Sequence, residues 1–461
     1  MDVSASIPFQ YKDKKSVYFI GIGGIGMSAL ARWFKAQNWA VYGSDLVKSA
    51  ITQELVKEGL KVKIGHKNSH INSRIGLIIY NRAIKTDNPE LAAARRLKIP
   101  TLPYSKVIGK LTDFYTTVAI TGSHGKSTST ALAGLILIAG GLDPTVFVGT
   151  ILKEFGRRHG GASGKNIRIG KSKYLVLEAD DFGAAFLDYS PAISVVTNID
   201  REHLDTYKTL GNAKKAFLKF IARTKNNGAL ILNNDDKNLH SLHRDIAKIA
   251  KRKKLRVIWH ALRGKTAKKV RRVIKIPGEH NVSNAVAAYK VGRVLGIPHG
   301  KILKAISRYN GAWRRMEYKG KFDGALVYDD YAHHPTEIRA SLKGFREQYP
   351  KKKIVCVYQP HQGRRLKALF KEFQSAFDDA DETLILPVYE VAGRDLRKNA
   401  YDSEKLARTI QSQQPKKKLF YLKEPKNLVN ALKTLGNNSS KVIIMMGAGD
   451  IVNYTKNLIE K

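Results

Sequence analysis

The chain has 461 residues, 43% of them hydrophobic, one cysteine, and 81 Lys+Arg against 39 Asp+Glu, a formal net charge of +42. That length holds about three domains of ~100–200 residues each, and the single Cys356 excludes an intrachain disulfide or a Cys-based zinc cluster and fits a reducing cytoplasm. No apolar run approaches the ~18–20 residues that cross a bilayer, and the N-terminal MDVSASIPFQYKDKK lacks a signal-peptide core, so a cytoplasmic protein without membrane association is expected.

Strand-like and helix-like segments alternate as in parallel α/β domains. The first block opens with the β-branched and aromatic run Ser16–Ile20, then Gly21-x-Gly23-x-x-Gly26, the amphipathic MSALARWFKAQ and a second strand ending at Asp45. This is a dinucleotide-type entry: the glycines permit a tight turn against a phosphate, and an acid about twenty residues on reaches a ribose hydroxyl. Alone it suggests a nicotinamide enzyme only weakly. The block runs through GLIIYNRAI and ends near 100–110, where IPTLPYSK carries two prolines.

The second block begins with the strand-like Tyr115–Ile120 and continues into Thr121-Gly122-Ser123-His124-Gly125-Lys126-Ser127-Thr128 ahead of an Ala/Leu-rich helix. Strand, glycine turn and helix in that order make a phosphate-binding loop. Backbone N–H groups and the helix N-terminus face the phosphates, Lys126 reaches the terminal ones, and the Ser127 hydroxyl suits Mg2+. Ile120 stands where the longer form of this loop has its first glycine. Two further strands end in polar groups: KYLVL runs into Glu178-Ala179-Asp180-Asp181, and AISVV into TNIDREHLD with His203. The carboxyl ends of neighbouring parallel strands share one sheet edge, so Glu178 and His203 are expected beside the phosphates as metal ligands; each alone also suits an ordinary helix-start acid or a surface histidine.

Beyond residue 255, Gly278-Glu279-His280-Asn281-x-x-Asn284 precedes a helix, followed by Trp313-Arg314-Arg315-Met316-Glu317. The first offers amides to an adenine edge and the second a guanidinium to a phosphate, against the plainer readings of a helix cap and a basic turn. The third block carries three strands that run into DDYAHHPTE, QPH and GAGD. The tandem His333-His334 beside Asp330 does not make a shared metal site, because adjacent side chains on extended backbone point apart. Lysine and arginine clusters at 251–254, 268–272, 351–353 and 416–418 mostly punctuate predicted strands and helices and read as solvated faces and turns. No basic module interleaved with aromatics accompanies them, so no specific nucleic-acid partner is expected.

In this order, GIGGIGMSALA, RAIKTDNPEL, ITGSHGKSTST, EADD with TNIDREHLDTY, GEHNVSNA, WRRME, DDYAHHPTE, YQPH and MGAGDI resemble the Mur ligases of peptidoglycan synthesis across nearly the whole chain. The glycine-rich start has the form of the alanine-adding branch. The resemblance implies an α/β protein of three domains: a Rossmann-like UDP-sugar domain (1–110), a central P-loop ATPase-type domain (111–315), and a C-terminal Rossmann-like amino-acid domain (316–461). It implies ATP-dependent joining of L-alanine to UDP-N-acetylmuramate through an acyl phosphate, with ATP and Mg2+ as cofactors, in a monomer or weak dimer.

It also implies roles. Gly21, Gly23, Gly24, Gly26 and Asp45 would hold the UDP-sugar; Gly122, Ser123, His124, Gly125, Lys126, Ser127, Thr128, His280, Asn284, Arg315, Asp330 and His333 would hold ATP. Lys126, His203 and Arg315 would be catalytic, Ser127, Glu178 and His203 would bind metal, and His361 with Arg364 and Arg365 would take the amino acid. Three departures stand out. Gln362 replaces the arginine that usually follows the histidine of Q-P-H, Phe182-Gly183 replaces a Ser-Asp pair, and Lys214, Lys215 and Lys219 all lie where some relatives carry a carbamylated lysine. Outside this reading, a nicotinamide oxidoreductase leaves the second phosphate loop idle, and a nucleic-acid-dependent NTPase leaves the first domain and the Glu178/His203 pair unexplained. Within it, a ligase for another small amino acid or a recycled peptide stays open.

Overall fold

The computed structural model describes residues 14–156, 164–390, 402–436 and 438–459. Residues 1–13, most of the segment read above for a leader peptide, lie outside them. Three sheets follow one another along the chain. The first contains β1 (Ser16–Ile20), β2 (Ala40–Asp45), β3 (Lys61–Ile64), β4 (Leu77–Tyr80) and β5 (Thr101–Pro103), in the order β3-β2-β1-β4-β5 and parallel throughout. Because β1 is flanked on both sides, its run VYFI is buried, as central parallel strands require.

The second sheet is built from β6 (Thr116–Thr121), β7 (Thr145–Leu152), β8 (Lys165–Arg168), β9 (Tyr174–Glu178), β10 (Ile193–Val196), β11 (Ala229–Asn233) and β12 (Arg256–His260), ordered β12-β11-β10-β6-β9-β7-β8. Only the β7–β8 pair is antiparallel. The third has β13 (Glu317–Phe322), β14 (Ala325–Asp330), β15 (Lys353–Tyr358), β16 (Glu382–Ile385), β17 (Lys418–Tyr421) and β18 (Lys441–Met446), ordered β13-β14-β18-β15-β16-β17 with an antiparallel first pair.

The chain forms two compact units: the first two sheets with Ser283–Ser307 make one, and Ile274–Val282 with the third sheet makes the other. Within the first unit one apolar cluster runs from Phe19, Trp33 and Phe34 through Leu175 and Phe186 to Phe217 and Leu232, so its two sheets share a core. A buried polar seam joins them as well. Arg32, on the helix Ile25–Ala36, donates to Asn166 Oδ1 (2.6 Å) of β8, and Asn166 Nδ2 returns a bond to Ser28 Oγ (2.9 Å). Glu54 and Glu58 neutralise the guanidinium at 3.1 and 2.8 Å. A second network centres on the fully buried Glu90, whose carboxylate sits against Tyr18 Oη (2.9 Å), Ser44 Oγ (2.6 Å), His66 Nδ1 (3.0 Å) and His70 Nδ1 (2.7 Å).

Candidate active site

The phosphate loop leaves β6 at the centre of its sheet, between β9 and β10, where ligands of open parallel sheets bind. Gly122 (φ +141°) and Gly125 (φ +79°) occupy backbone regions that side chains avoid, and a Cβ at either would collide, with Thr197 Oγ1 and Asn284 Oδ1 respectively. Gly125 is the N-cap of the helix Lys126–Ala139. The end of β10 grips the loop: His124 N–H donates to Asn198 Oδ1 (2.8 Å), Thr197 Oγ1 donates to His124 O (2.6 Å), and Asp200 N–H donates to Ser123 Oγ (2.8 Å). The His124 ring meets Asp200 at 2.9 Å. None of Thr197, Asn198 or Asp200 was singled out from sequence. Their signal was present, since they fill the turn between a buried strand and the His203 motif.

Lys126 points along the mouth of the loop. Its Nζ donates to Gly122 O (2.6 Å) and to Asp181 Oδ1 (2.8 Å). Burial opposes its charge, yet the carboxylates of Asp181, Asp180 and Glu178 prevail and push its pKa up, so it stays a cation. Ser127 Oγ donates to Glu178 Oε1 (3.0 Å) at the end of β9. His203, in a left-handed conformation before the short helix Leu204–Tyr207, has Nε2 3.8 Å from Asp181 Oδ1. Ligand atoms of Asp180, Asp181 and His203 all lie within 4.8 Å of one another. The structure thus brings Lys126, Ser127, Glu178 and His203 to one sheet edge, and adds Asp180 and Asp181. Oxygen donors dominate that set, which fits Mg2+ rather than a thiolate-seeking ion.

In the first sheet, Asp45 spends Oδ2 on the Gly23 N–H (2.8 Å), while Gly21 and Ile22 N–H both donate to Ser44 O (2.9 Å each). The glycine turn and Asp45 are therefore one construction, with Oδ1 taking the Val47 N–H at 3.4 Å.

Asn284 belongs to the first unit, its amide lying over Gly125, whereas His280 belongs to the second, where burial pushes its imidazole down to about 4. Also in the second unit, Arg314 is 3% exposed and donates to Asp329 Oδ1 (3.4 Å) and Gly449 O (3.2 Å), a structural brace. Arg315 is partly exposed, with its guanidinium 5.0 Å from the centre of the Tyr331 ring. Asp330 is an internal anchor whose carboxylate takes bonds from Ser341 Oγ (2.7 Å) and Ala332 N–H (2.8 Å). His333 Nδ1 is 3.2 Å from Glu337, and its ring stands edge-on to His361. His361 stacks on Tyr389, and Arg365 folds back to donate to His361 O (3.1 Å), leaving Arg364 exposed.

Comparison with known proteins follows the same three-sheet division. Residues 16–116 match the Mur ligase family catalytic domain, 120–292 the Mur ligase middle domain, and 314–449 the Mur ligase glutamate ligase domain. A UDP-N-acetylmuramate–L-alanine ligase from Desulfosudis oleivorans is 35% identical over 94% of this chain and 96% of that protein, and one from Acetivibrio thermocellus 37% identical over 95% and 94%. The structure of the UDP-N-acetylmuramate-alanine ligase of Thermotoga maritima superposes with a TM-score of 0.76 at 25% identity, covering 96% of this chain and 98% of that one. A murein peptide ligase from Psychrobacter arcticus shares the fold at a TM-score of 0.67 and 18% identity, covering 96% and 98%. With a phosphate loop and acid edge seated on the middle one of three matched domains, and relatives aligned nearly end to end, the chain belongs to the Mur ligase family.

Proposed function

We propose that this protein is a cytoplasmic ligase that couples ATP hydrolysis to amide formation between UDP-N-acetylmuramate and L-alanine. The observation that carries the reading is the convergence of Lys126, Ser127, Glu178, Asp181 and His203 on one edge of the middle sheet, in a chain aligned end to end with alanine-adding relatives. A muramoyl carboxylate oxygen attacks the γ-phosphorus of ATP and the bond to ADP breaks. The amine of L-alanine then attacks the acyl carbon of the acyl phosphate, loses a proton, and inorganic phosphate leaves. Such transfer rests on positioning and charge stabilisation.

Each module has a share in this. Residues 1–110 would hold the UDP-sugar on Gly21–Gly26, 111–315 the triphosphate on Gly122–Thr128, and 316–461 the amino acid near His361. Lys126 would lie along the β- and γ-phosphates, and Arg315 would meet the transferring group. Ser127 and Glu178 would hold one Mg2+ ion and His203, with Asp180 and Asp181, a second; when bound, these ions offset charge developing on the phosphoryl oxygens. A second reading, another small amino acid as acceptor, draws on Gln362 and on Arg365 being turned back to His361.

Phosphate release by the purified protein with UDP-N-acetylmuramate, Mg-ATP and single amino acids tests both. L-alanine is expected to give the highest kcat/KM. Preference for glycine or serine would establish the second reading, and release driven by DNA or RNA alone would sink both.

A further inference from the structure

Arg82 follows β4 by two residues, at the same sheet edge as the glycine turn. Its neighbour Asn81 packs against that turn, with Nδ2 3.6 Å from where a Cβ on Gly24 would lie. Arg82 itself is directed to the middle module: it donates to the Gly183 carbonyl, to Asp188 Oδ2 (3.2 Å), and to Ser105 Oγ (3.1 Å). Gly183 lies two residues past Asp181, in the bend that follows the acid edge. Tyr104 marks how close the two modules come here. Its hydroxyl is 2.9 Å from a Cβ built on Gly26, and the charges of Asp180 and Glu178 reach the same hydroxyl.

Asp188 faces both Arg82 and Lys106 (2.7 Å), and these cations are 37% and 59% exposed. A guanidinium has five N–H donors; Nη2 spends both of its hydrogens on Asp188 and Ser105 and Nη1 one on Gly183, so Nε–H and the second Nη1–H can each serve an incoming anion. Two anionic groups of the sugar nucleotide could fill that place, the diphosphate and the lactyl carboxylate. The diphosphate belongs to the glycine turn and the start of the helix Ile25–Ala36, on the side Asn81 faces. Arg82 faces the opposite way, toward the bend beside Asp180 and Asp181.

We infer that Arg82 positions the lactyl carboxylate of the muramoyl group, presenting one of its oxygens to the phosphoryl group held at the Lys126 edge. This rests on the ligase reading above. A guanidinium held by three protein acceptors keeps its charge and its orientation, so one charge-assisted N–H···O bond from it fixes a carboxylate oxygen's direction as well as its distance. In the sequence Arg82 stands out only as part of the RAIKTDNPEL segment, one of those that carry the family resemblance.

The test compares two ligands that differ in the carboxylate-bearing lactyl arm: UDP-N-acetylmuramate, which has it, and UDP-N-acetylglucosamine, which has a hydroxyl in its place. Calorimetric titration of the whole protein is expected to show Arg82→Gln losing about tenfold in affinity for the first, the scale of one charge-assisted hydrogen bond, and less than about twofold for the second. Arg82→Lys, which keeps the charge without the planar guanidinium and its anchoring bonds, is expected to recover binding in part while kcat stays depressed. Equal loss for both ligands would assign Arg82 to the diphosphate, and unchanged discrimination in a folded, ATP-binding variant would reduce it to a contact between modules; either overturns the proposal. A parent protein that releases no phosphate with any amino acid would instead remove the ligase reading itself.

Discussion

Lys126 carries the largest electrostatic burden of any single side chain at the acid edge. It stands 2.8 Å from Asp181 with Asp180 and Glu178 close by, and it is the cation within that group. Lys126→Ala should therefore abolish phosphate release while the fold persists, a loss of at least ~10²-fold by comparison with other positioned charge donors. His203→Ala should lower kcat by more than it raises the KM for UDP-sugar. Near-parental turnover in either variant would refute the assigned role.

A different residue contributes to the acid side of stability. His260, at the end of β12, is 5% exposed, and burial pushes its pKa down to about 4. The unfolded chain binds this proton near 6.5, the folded one only near 4, so stability is retained above 6.5 and drains away as pH falls between those values. The span corresponds to on the order of 3 kcal/mol. Urea midpoints taken from pH 7 to pH 4 should fall less steeply for His260→Phe than for the parent, and parallel curves would rule the group out.

At the level of elements, what sequence could reveal depended on range. Strand β6, its glycine turn and the helix after it were legible because β-branched residues, glycines and a helix-forming run lie in immediate succession. Glu178 and His203 were legible as strand-end groups, and sheet order then made them neighbours. Asp181 was not, since its partner Lys126 lies 55 residues away and only the pairing β6–β9 joins them. Asp45 and Asp330 were visible as acids, but their hydrogen bonds to Gly23 and Ser341 were not, because those partners lie 22 and 11 residues away. Glu90 shows the same blindness. The Asn-Pro-Glu start of its helix reads as a capped helix with an acid in the first turn, yet that acid ties β1, β2 and the loop after β3 together. Glu90→Ala would strand its buried partners without an acceptor and should cost about 3–5 kcal/mol in denaturant unfolding. A change below about 1 kcal/mol would mean water satisfies those groups as well as the carboxylate does.

For the whole molecule, the +42 charge acts over distance rather than at contacts. ATP and the UDP-sugar are polyanions, so association of UDP-sugar should slow as salt rises, with the largest change around the ~8–10 Å Debye lengths of 0.1–0.15 M. Stopped-flow association rates at several ionic strengths check this. Charge reversal at Lys416–Lys418, in and before β17, should leave kcat unchanged. Among the described residues no helix is long and apolar enough to cross a membrane.

The seam of Arg32 and Asn166 has an implication for modularity. Three family domains suggest three separable pieces, but the first and middle ones share buried side chains and a pair of reciprocal hydrogen bonds. A fragment ending at residue 110 would leave Arg32 facing solvent where Asn166 had been and would uncover much of the shared apolar cluster. The nucleotide-sugar module is better regarded as half of a folding unit than as a transferable cassette, and in a scanning calorimeter the two sheets should melt in a single transition.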